Sequence, residues 1–229
     1  MALILNIETS TEVCSASIAK NGQVIAVKES FEDRSHASLL TVFIEELLTE
    51  AKIKPNDFDA VSVSEGPGSY TGLRIGVSVA KGICYAKNIP LIAVNTLQAM
   101  AIMATNIITE KNALLCPMID ARRMEVYSAI FNADTTQSRK TIAEIIDEDS
   151  YKKELSINKI AFFGNGADKC KQLIKHKNAL FIDGVYPSAK YMAQLAQKAF
   201  DKKQFKDVAY FEPFYLKDFV ATIPKKKIF

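Results

Sequence analysis

The sequence predicts an α/β protein of two similar lobes, and three observations predict it. An apolar, β-branched run at Ala60, Val61 and Val63 reaches Gly66, Pro67 and Gly68 and then becomes helical to Lys87, which reads as strand, tight turn and helix. The elements read over residues 1–107 follow the order βββαβαβα. The same order recurs in looser form over residues 108–229, the second lobe, which ends in a basic tail.

In chain order, Leu3 to Ile7 is a continuous apolar strand followed by the polar turn Glu8-Thr9-Ser10-Thr11. Val13 to Ala19 and Val24 to Glu29 read as strands joined at Asn21-Gly22, a strong hairpin signal. A helix follows from about His36 to Ala51, then a strand at 59–64. The next helix has Ser69 and Thr71 as candidate caps and stops before Asn88 and Pro90. A strand at 91–94 and a helix at 96–106 finish the lobe.

In the second lobe, strands run from Ala113 to Ile119 and from Met124 to Phe131, and a third lies around Ile142 to Ile146. A short helix near 149–155, a strand at 159–163, a helix at 166–175, a strand at 179–182 and a helix at 188–200 follow. Asn132 to Lys140 is polar and reads as an exposed hairpin tip. The terminal Pro224-Lys-Lys-Lys-Ile-Phe229 reads as a solvated tail; its lysines could touch an RNA backbone but could not hold it alone.

A hydrophobic share of 48% in 229 residues is ample for a core, in one large domain or two small lobes. A net charge of +3 neither demands nor excludes a nucleic-acid partner. Cys14, Cys84, Cys116 and Cys170 lie far apart with no pair at metal or redox spacing, and read as reduced residues of a cytoplasmic protein. The opening Met-Ala-Leu-Ile-Leu-Asn-Ile-Glu lacks a basic region and reads as a buried strand, with no signal peptide expected. No apolar run approaches the ~20 residues that span a bilayer, so no membrane partner is expected.

Two helices carry the candidate surface. Gly72, Gly76, Ala80 and Cys84 fall four apart and stack into a ridge of small residues, each interior glycine costing roughly 0.5–1 kcal/mol relative to alanine. Such a ridge either seats the helix tightly on its own sheet or meets a second helix or another chain, with Tyr70, Leu73 and Val77 alongside. On the 36–51 helix, His36, Ala37, Leu39, Leu40, Phe43, Ile44, Leu47, Leu48 and Ala51 cover roughly half the circumference, whereas one core needs a stripe of about 100°. The excess either wedges between elements of the same fold or meets another subunit. The leading expectation is a helix pair packed on an equivalent pair, through His36, Leu39, Leu40, Phe43, Leu47, Tyr70, Gly72, Leu73, Gly76, Val77 and Ala80.

Asn-Ile-Glu-Thr-Ser at 6–10, Arg-Ser-His-Ala-Ser-Leu-Leu at 34–40, Glu-Gly-Pro-Gly-Ser-Tyr-Thr-Gly-Leu-Arg-Ile-Gly at 65–76, Ile-Pro-Leu-Ile-Ala-Val-Asn-Thr-Leu at 89–97, Asp-Ala-Arg-Arg-Met-Glu-Val-Tyr at 120–127 and Tyr-Leu-Lys at 215–217 together resemble the TsaB (YeaZ) family. The likeness covers most of residues 1–130 and thins afterwards; Gly-Ser-Tyr-Thr-Gly-Leu-Arg is its specific part. It implies a duplicated actin-like fold (ASKHA, ribonuclease H-like) of two βββαβαβα lobes. It also implies a non-catalytic subunit in the making of threonylcarbamoyladenosine beside the tRNA anticodon. The partners it implies are the catalytic paralogue TsaD, the ATPase TsaE, a second copy of the chain when alone, and tRNA within the complex.

An older glycoprotease label attaches to the wider family. Where the catalytic paralogue carries Asn-His-x-x-x-His, whose two imidazoles can share a metal, this chain reads Asn95-Thr96-Leu97-Gln98-Ala99-Met100, so neither a metal nor a cofactor is expected. The alternative is a nucleotide-binding kinase or ATPase, with Glu8 and Asp120 facing each other across a cleft around a magnesium phosphate and Thr9 and Ser10 at a degenerate phosphate turn. Thr-Ser-Thr after Glu8 lacks the glycine of such turns. Gly164-Asn165-Gly166 resembles the adenosine-side loop in relaxed form, or is a plain strand-to-helix turn. Arg122 and Arg123 either bind phosphate or tRNA, or pair with Asp120 and Glu125.

Overall fold

The computed structural model describes residues 2–32 and 36–217, so Arg34, Ser35 and the lysine tail lie outside the described residues. β1 (Leu3–Glu8) sits at the centre of the first sheet. Its Leu5 and Ile7 point into one core and Ile4 into another, as a strand covered on both faces requires. β2 (Cys14–Lys20) and β3 (Gln23–Ser30) extend it antiparallel through a turn in which Asn21 and Gly22 both take positive φ, 53° and 76°. β4 (Ala60–Gly66) and β5 (Leu91–Asn95) join in parallel on the other side, giving the order β3-β2-β1-β4-β5. Parallel pairing needs crossovers, and α1 (His36–Ala51) and α2 (Tyr70–Lys87) supply them on one face.

The second sheet repeats this order as β8-β7-β6-β9-β10, from β6 (Leu114–Asp120), β7 (Glu125–Phe131), β8 (Gln137–Ile145), β9 (Ile160–Phe163) and β10 (Ala179–Ile182). Two copies of one mixed topology make the duplicated actin-like fold. The second copy has shrunken crossovers: α4 (Lys152–Leu155) is one turn, and the expected helix at 166–175 is a 3-10 turn at Asp168–Cys170. From 168 to 175 only Cys170 and Ile174 are buried, too narrow an apolar stripe to hold a full helix.

The expected hairpin tip at 132–140 is also shorter, because Asn132 and Thr136 close it and β8 begins at Gln137. Arg139 there is drawn into the strand by its partners, Glu144 at 2.6 Å and the Tyr151 hydroxyl at 2.9 Å. The lobes exchange helices. Leu97, Met100 and Ala101 of α3 (Thr96–Thr105) pack with β6, β7 and β9, while Met192 and Ala196, from a 3-10 turn (Ala189–Met192) and α5 (Ala193–Asp201), pack with β1, β4 and β5. All four cysteines are free and buried, and among the described residues no helix is long and apolar enough to cross a membrane.

Candidate functional site

The ridge on α2 faces inward. A Cβ on Gly72 would lie 2.1 Å from the Thr9 carbonyl oxygen, and one on Gly76 would lie 2.3 Å from Thr9 Oγ1, which itself donates to the Gly72 carbonyl at 2.8 Å. Ala80, Leu73 and Val77 are buried as well. The same tight seating governs the turn before the helix, where Ser69 N donates to the Ser10 carbonyl at 2.6 Å and a Cβ on Gly68 would meet that oxygen at 2.2 Å. Of the two readings of the ridge, close packing on its own sheet is the one the coordinates show, because β1 runs directly beneath the helix.

On α1, His36, Leu40 and Leu47 are likewise buried, and Leu39 and Phe43 pack half-buried against the same core. Phe43 lies on the shoulder toward β3, since Glu46 and Glu50, on the following turns, pair with Lys28. The apolar arc therefore spends most of its width inside its own lobe. Of the residues expected to meet a partner, His36, Leu40, Leu47, Gly72, Leu73, Gly76, Val77 and Ala80 are buried in their own lobe, and Leu39, Phe43 and Tyr70 are half-buried.

What α1 and α2 leave open is the groove between them. It has a volume of about 460 Å³ and is lined by Ala37, Tyr70, Thr71, Arg74, Ile75, Ser78 and Val79. Its floor is the half-buried Ile75 and Val79; its rim is small or polar. The sequence holds a signal for this face, because Thr71, Ser78 and Gly82 are small and recur along the outer side of α2, and an added Cβ at Gly82 meets nothing within 4 Å.

The chain's last described segment closes one end of the groove. Phe214 N donates to the Glu65 carbonyl at 2.7 Å, and the Tyr215 ring lies 5.0 Å from that of Tyr70. Arg74 sits 4.1 Å over Tyr70 and donates to the Tyr215 hydroxyl at 3.4 Å. Lys217 then reaches the second lobe and pairs with Glu125. Tyr215, singled out in the sequence only as part of the Tyr-Leu-Lys match, is thus placed beside Tyr70 by the fold.

The cleft does not bring Glu8 and Asp120 together as an exposed pair. Glu8 is fully buried, its Oε1 accepts from Ser10 N at 2.6 Å, and its Oε2 has no partner. Burial holds this carboxyl above the usual carboxylate range against the opposing pull of the Ser10 and Ser64 hydroxyls and the Ser10 and Thr9 backbone. Asp120 is exposed and bound by Lys169 at 2.6 Å, and the same ammonium donates to the Arg123 and Glu125 carbonyls at 2.7 Å. Thr9 and Ser10 are buried in the packing just described.

A magnesium nucleotide between the lobes, the alternative that the sequence raises, does not fit these residues. The turn N–H of Ser10 is spent on Glu8, a lysine covers Asp120, and in the neighbouring recess of about 250 Å³ Lys171 is taken up by Asp168 and Asp183 beside Glu12. Gly164-Asn165-Gly166 is a structural turn: Gly166 N donates to the Met118 carbonyl, and Asn165 ties the lobes by donating to Glu12 at 2.8 Å. At the positions matching the paralogue's histidines, Thr96 is buried behind the Asn95 cap of α3, and Met100 is core. Among the described residues no group of three or more His, Cys, Asp or Glu side chains could hold a metal ion.

Residues 27–225 match the family described as TsaD, tRNA N6-adenosine threonylcarbamoyltransferase. The tRNA threonylcarbamoyladenosine biosynthesis protein TsaB of Haemophilus influenzae is 31% identical over 95% of this chain and 94% of its own length. Its namesake from Escherichia coli is 30% identical over 95% and 96%. Among solved structures, YeaZ from Pseudomonas aeruginosa superposes with a TM-score of 0.81 at 24% identity, covering 94% of this chain and all of that one, a likeness of fold. With sequence similarity along nearly its whole length, the chain belongs to the TsaB (YeaZ) family of tRNA threonylcarbamoyladenosine biosynthesis proteins.

Proposed function

We propose that the chain is a non-catalytic subunit of the apparatus that makes threonylcarbamoyladenosine in tRNA, and that it docks on the catalytic paralogue TsaD through the α1–α2 groove. The observation that carries this is the groove itself: an apolar floor of Ile75 and Val79 with a rim of small and polar residues, which the described residues leave uncovered while the other face of α2 is buried on its own sheet. The TsaD family profile matches this chain from 27 to 225, so a TsaD partner offers an equivalent helix pair, and two such pairs pack with near-twofold symmetry. A second copy of this chain fits the same groove when TsaD is absent. TsaE and tRNA join the assembled pair in the cytoplasm.

The cleft supports the non-catalytic part of the reading. Its first carboxylate is sealed inside the lobe, and its second is neutralised by a lysine, which favours a supporting role over the kinase or ATPase built on Glu8 and Asp120. Reconstitution tests the whole. Threonylcarbamoyl transfer by TsaD with TsaE is expected to require this chain, and the chain alone is expected to hydrolyse no ATP. Full transfer without it, or ATP turnover by the pure chain that Glu8→Gln abolishes, overturns the reading.

A further inference from the structure

The tip between β6 and β7 has features that the docking role does not use. Arg122 and Arg123 are consecutive, exposed, and both left-handed, with φ of 69° and 48°. Glycine and asparagine adopt that backbone most readily, so a tip selected for folding alone would carry them. The carboxylates that could neutralise the arginines are occupied: Lys169 takes Asp120, and Lys217 takes Glu125. Among the described residues neither guanidinium makes a hydrogen bond or an ion pair, and Arg122 interacts electrostatically with the Tyr127 phenol, which supplies no counter-charge at neutral pH.

The tip is also held still. Arg122 N donates to Asp120 Oδ1 at 2.7 Å, Glu125 N donates to the Arg122 carbonyl at 3.2 Å, and the Lys169 ammonium clamps the Arg123 and Glu125 carbonyls from below. Two uncompensated guanidiniums therefore project from a rigid mount. Their planar forks match phosphate oxygens two at a time, and rigidity lowers the ordering cost of gripping them.

We propose that the Arg122–Arg123 tip is a preformed phosphate-recognition site that takes the sugar–phosphate backbone of an RNA. Adjacent residues stand about 3.8 Å apart at Cα, and their long side chains reach neighbouring phosphates of one strand, whereas a free nucleotide offers one cluster. The choice of RNA rests on the tRNA role proposed above; the phosphate chemistry rests on the tip alone. Contacts of this kind position a nucleic acid without reading its sequence.

The test titrates the full-length chain into a labelled tRNA anticodon stem-loop, following anisotropy from low to moderate salt. It compares the wild type with the double variant Arg122→Gly, Arg123→Gly, whose glycines suit the left-handed backbone. The variant should melt at the same temperature or higher, bind about tenfold more weakly at low salt, and show a log–log salt slope shallower by about 1.5, the share of two phosphates. Equal binding by variant and wild type, or no binding by the wild type at low salt, overturns the proposal. ATP and inorganic phosphate serve as competitors: failure to displace the RNA assigns the polynucleotide backbone, and displacement by ATP at matched phosphate concentration overturns that assignment. Co-purification with TsaD keeps the two readings apart, because a wild type that binds the stem-loop through these arginines yet ignores TsaD upholds the tip and overturns the docking role.

Discussion

Replacing Gly76 by alanine should destabilise the protein, although alanine is the better helix former. In an exposed helix interior that exchange gains about 1 kcal/mol. Here the new methyl would sit 2.3 Å from Thr9 Oγ1, far inside contact distance, and 3.5 Å from Ile7 Cγ2. Thr9 cannot swing away cheaply, because its hydroxyl donates to the Gly72 carbonyl at 2.8 Å in a fully buried setting. Overpacking costs about 1–3 kcal/mol and the lost hydrogen bond about 1, so after the propensity gain the net loss is about 2 kcal/mol. For a chain of this size that lowers the melting temperature by roughly 4–8 °C. Gly82 supplies the control on the same helix. Open space surrounds it, so Gly82→Ala should raise the melting temperature by roughly 2–4 °C. Calorimetry on the two variants decides; a Gly76→Ala protein that melts at or above the wild type refutes the tight seating of α2 on β1.

Two other outcomes follow from the site. Burial raises the Glu8 carboxyl above its ordinary 4.5, so the native state keeps its proton to higher pH than the unfolded chain does. Stability should therefore decline as pH rises from about 4.5 through the raised native value. Glu8→Gln keeps an oxygen for Ser10 N and removes the ionisation; it should flatten that decline and raise the urea midpoint near pH 8, and an equal deficit at pH 5 and 8 would count against the buried carboxyl. Tyr215→Ala removes a ring pair worth about 0.5–1.5 kcal/mol, so the melting temperature should drop by roughly 2–4 °C and TsaD binding should weaken as Tyr70 and Arg74 lose their orientation. No change in either measurement would remove Tyr215 from the site.

Much of the fold is legible in the sequence because its local signals are unambiguous. The 36–51 helix has strong helical periodicity, Asn21-Gly22 marks the hairpin, and Gly66-Pro67-Gly68 marks the bend before α2, so these elements stand where the pattern puts them. The second lobe is less legible. Residues 137–140 are polar and read as a loop, yet β8 starts there because Arg139 finds Glu144 and Tyr151, partners that no local window displays.

Legibility of the site divides along the same line. A period-four row of small residues has the same spacing whether it meets a sheet or a stranger, and Thr9, 63 positions before Gly72, decides which. Glu8 ends β1 as a catalytic carboxylate would; only its partner Ser10 N and its complete burial reveal that it turns inward. Tyr215 and Tyr70 meet across the length of the chain, which periodicity cannot see. The two helices stand where the periodicity puts them, but the stripes read as surplus are buried in the lobe, and the groove is what the described residues leave open.

Sedimentation velocity of this chain mixed with purified TsaD, as wild type and as Val79→Glu, tests the docking surface most directly. Val79 is half-buried in the groove, whereas Leu73 is only 1% exposed and its replacement by glutamate would report on folding. Wild type and TsaD should move as one heavier boundary, Val79→Glu should leave two lighter ones while melting near the wild-type temperature, and Ile145→Glu on the exposed edge of the second sheet should leave the complex whole. A Val79→Glu chain that travels with TsaD as the wild type does would place the contact elsewhere.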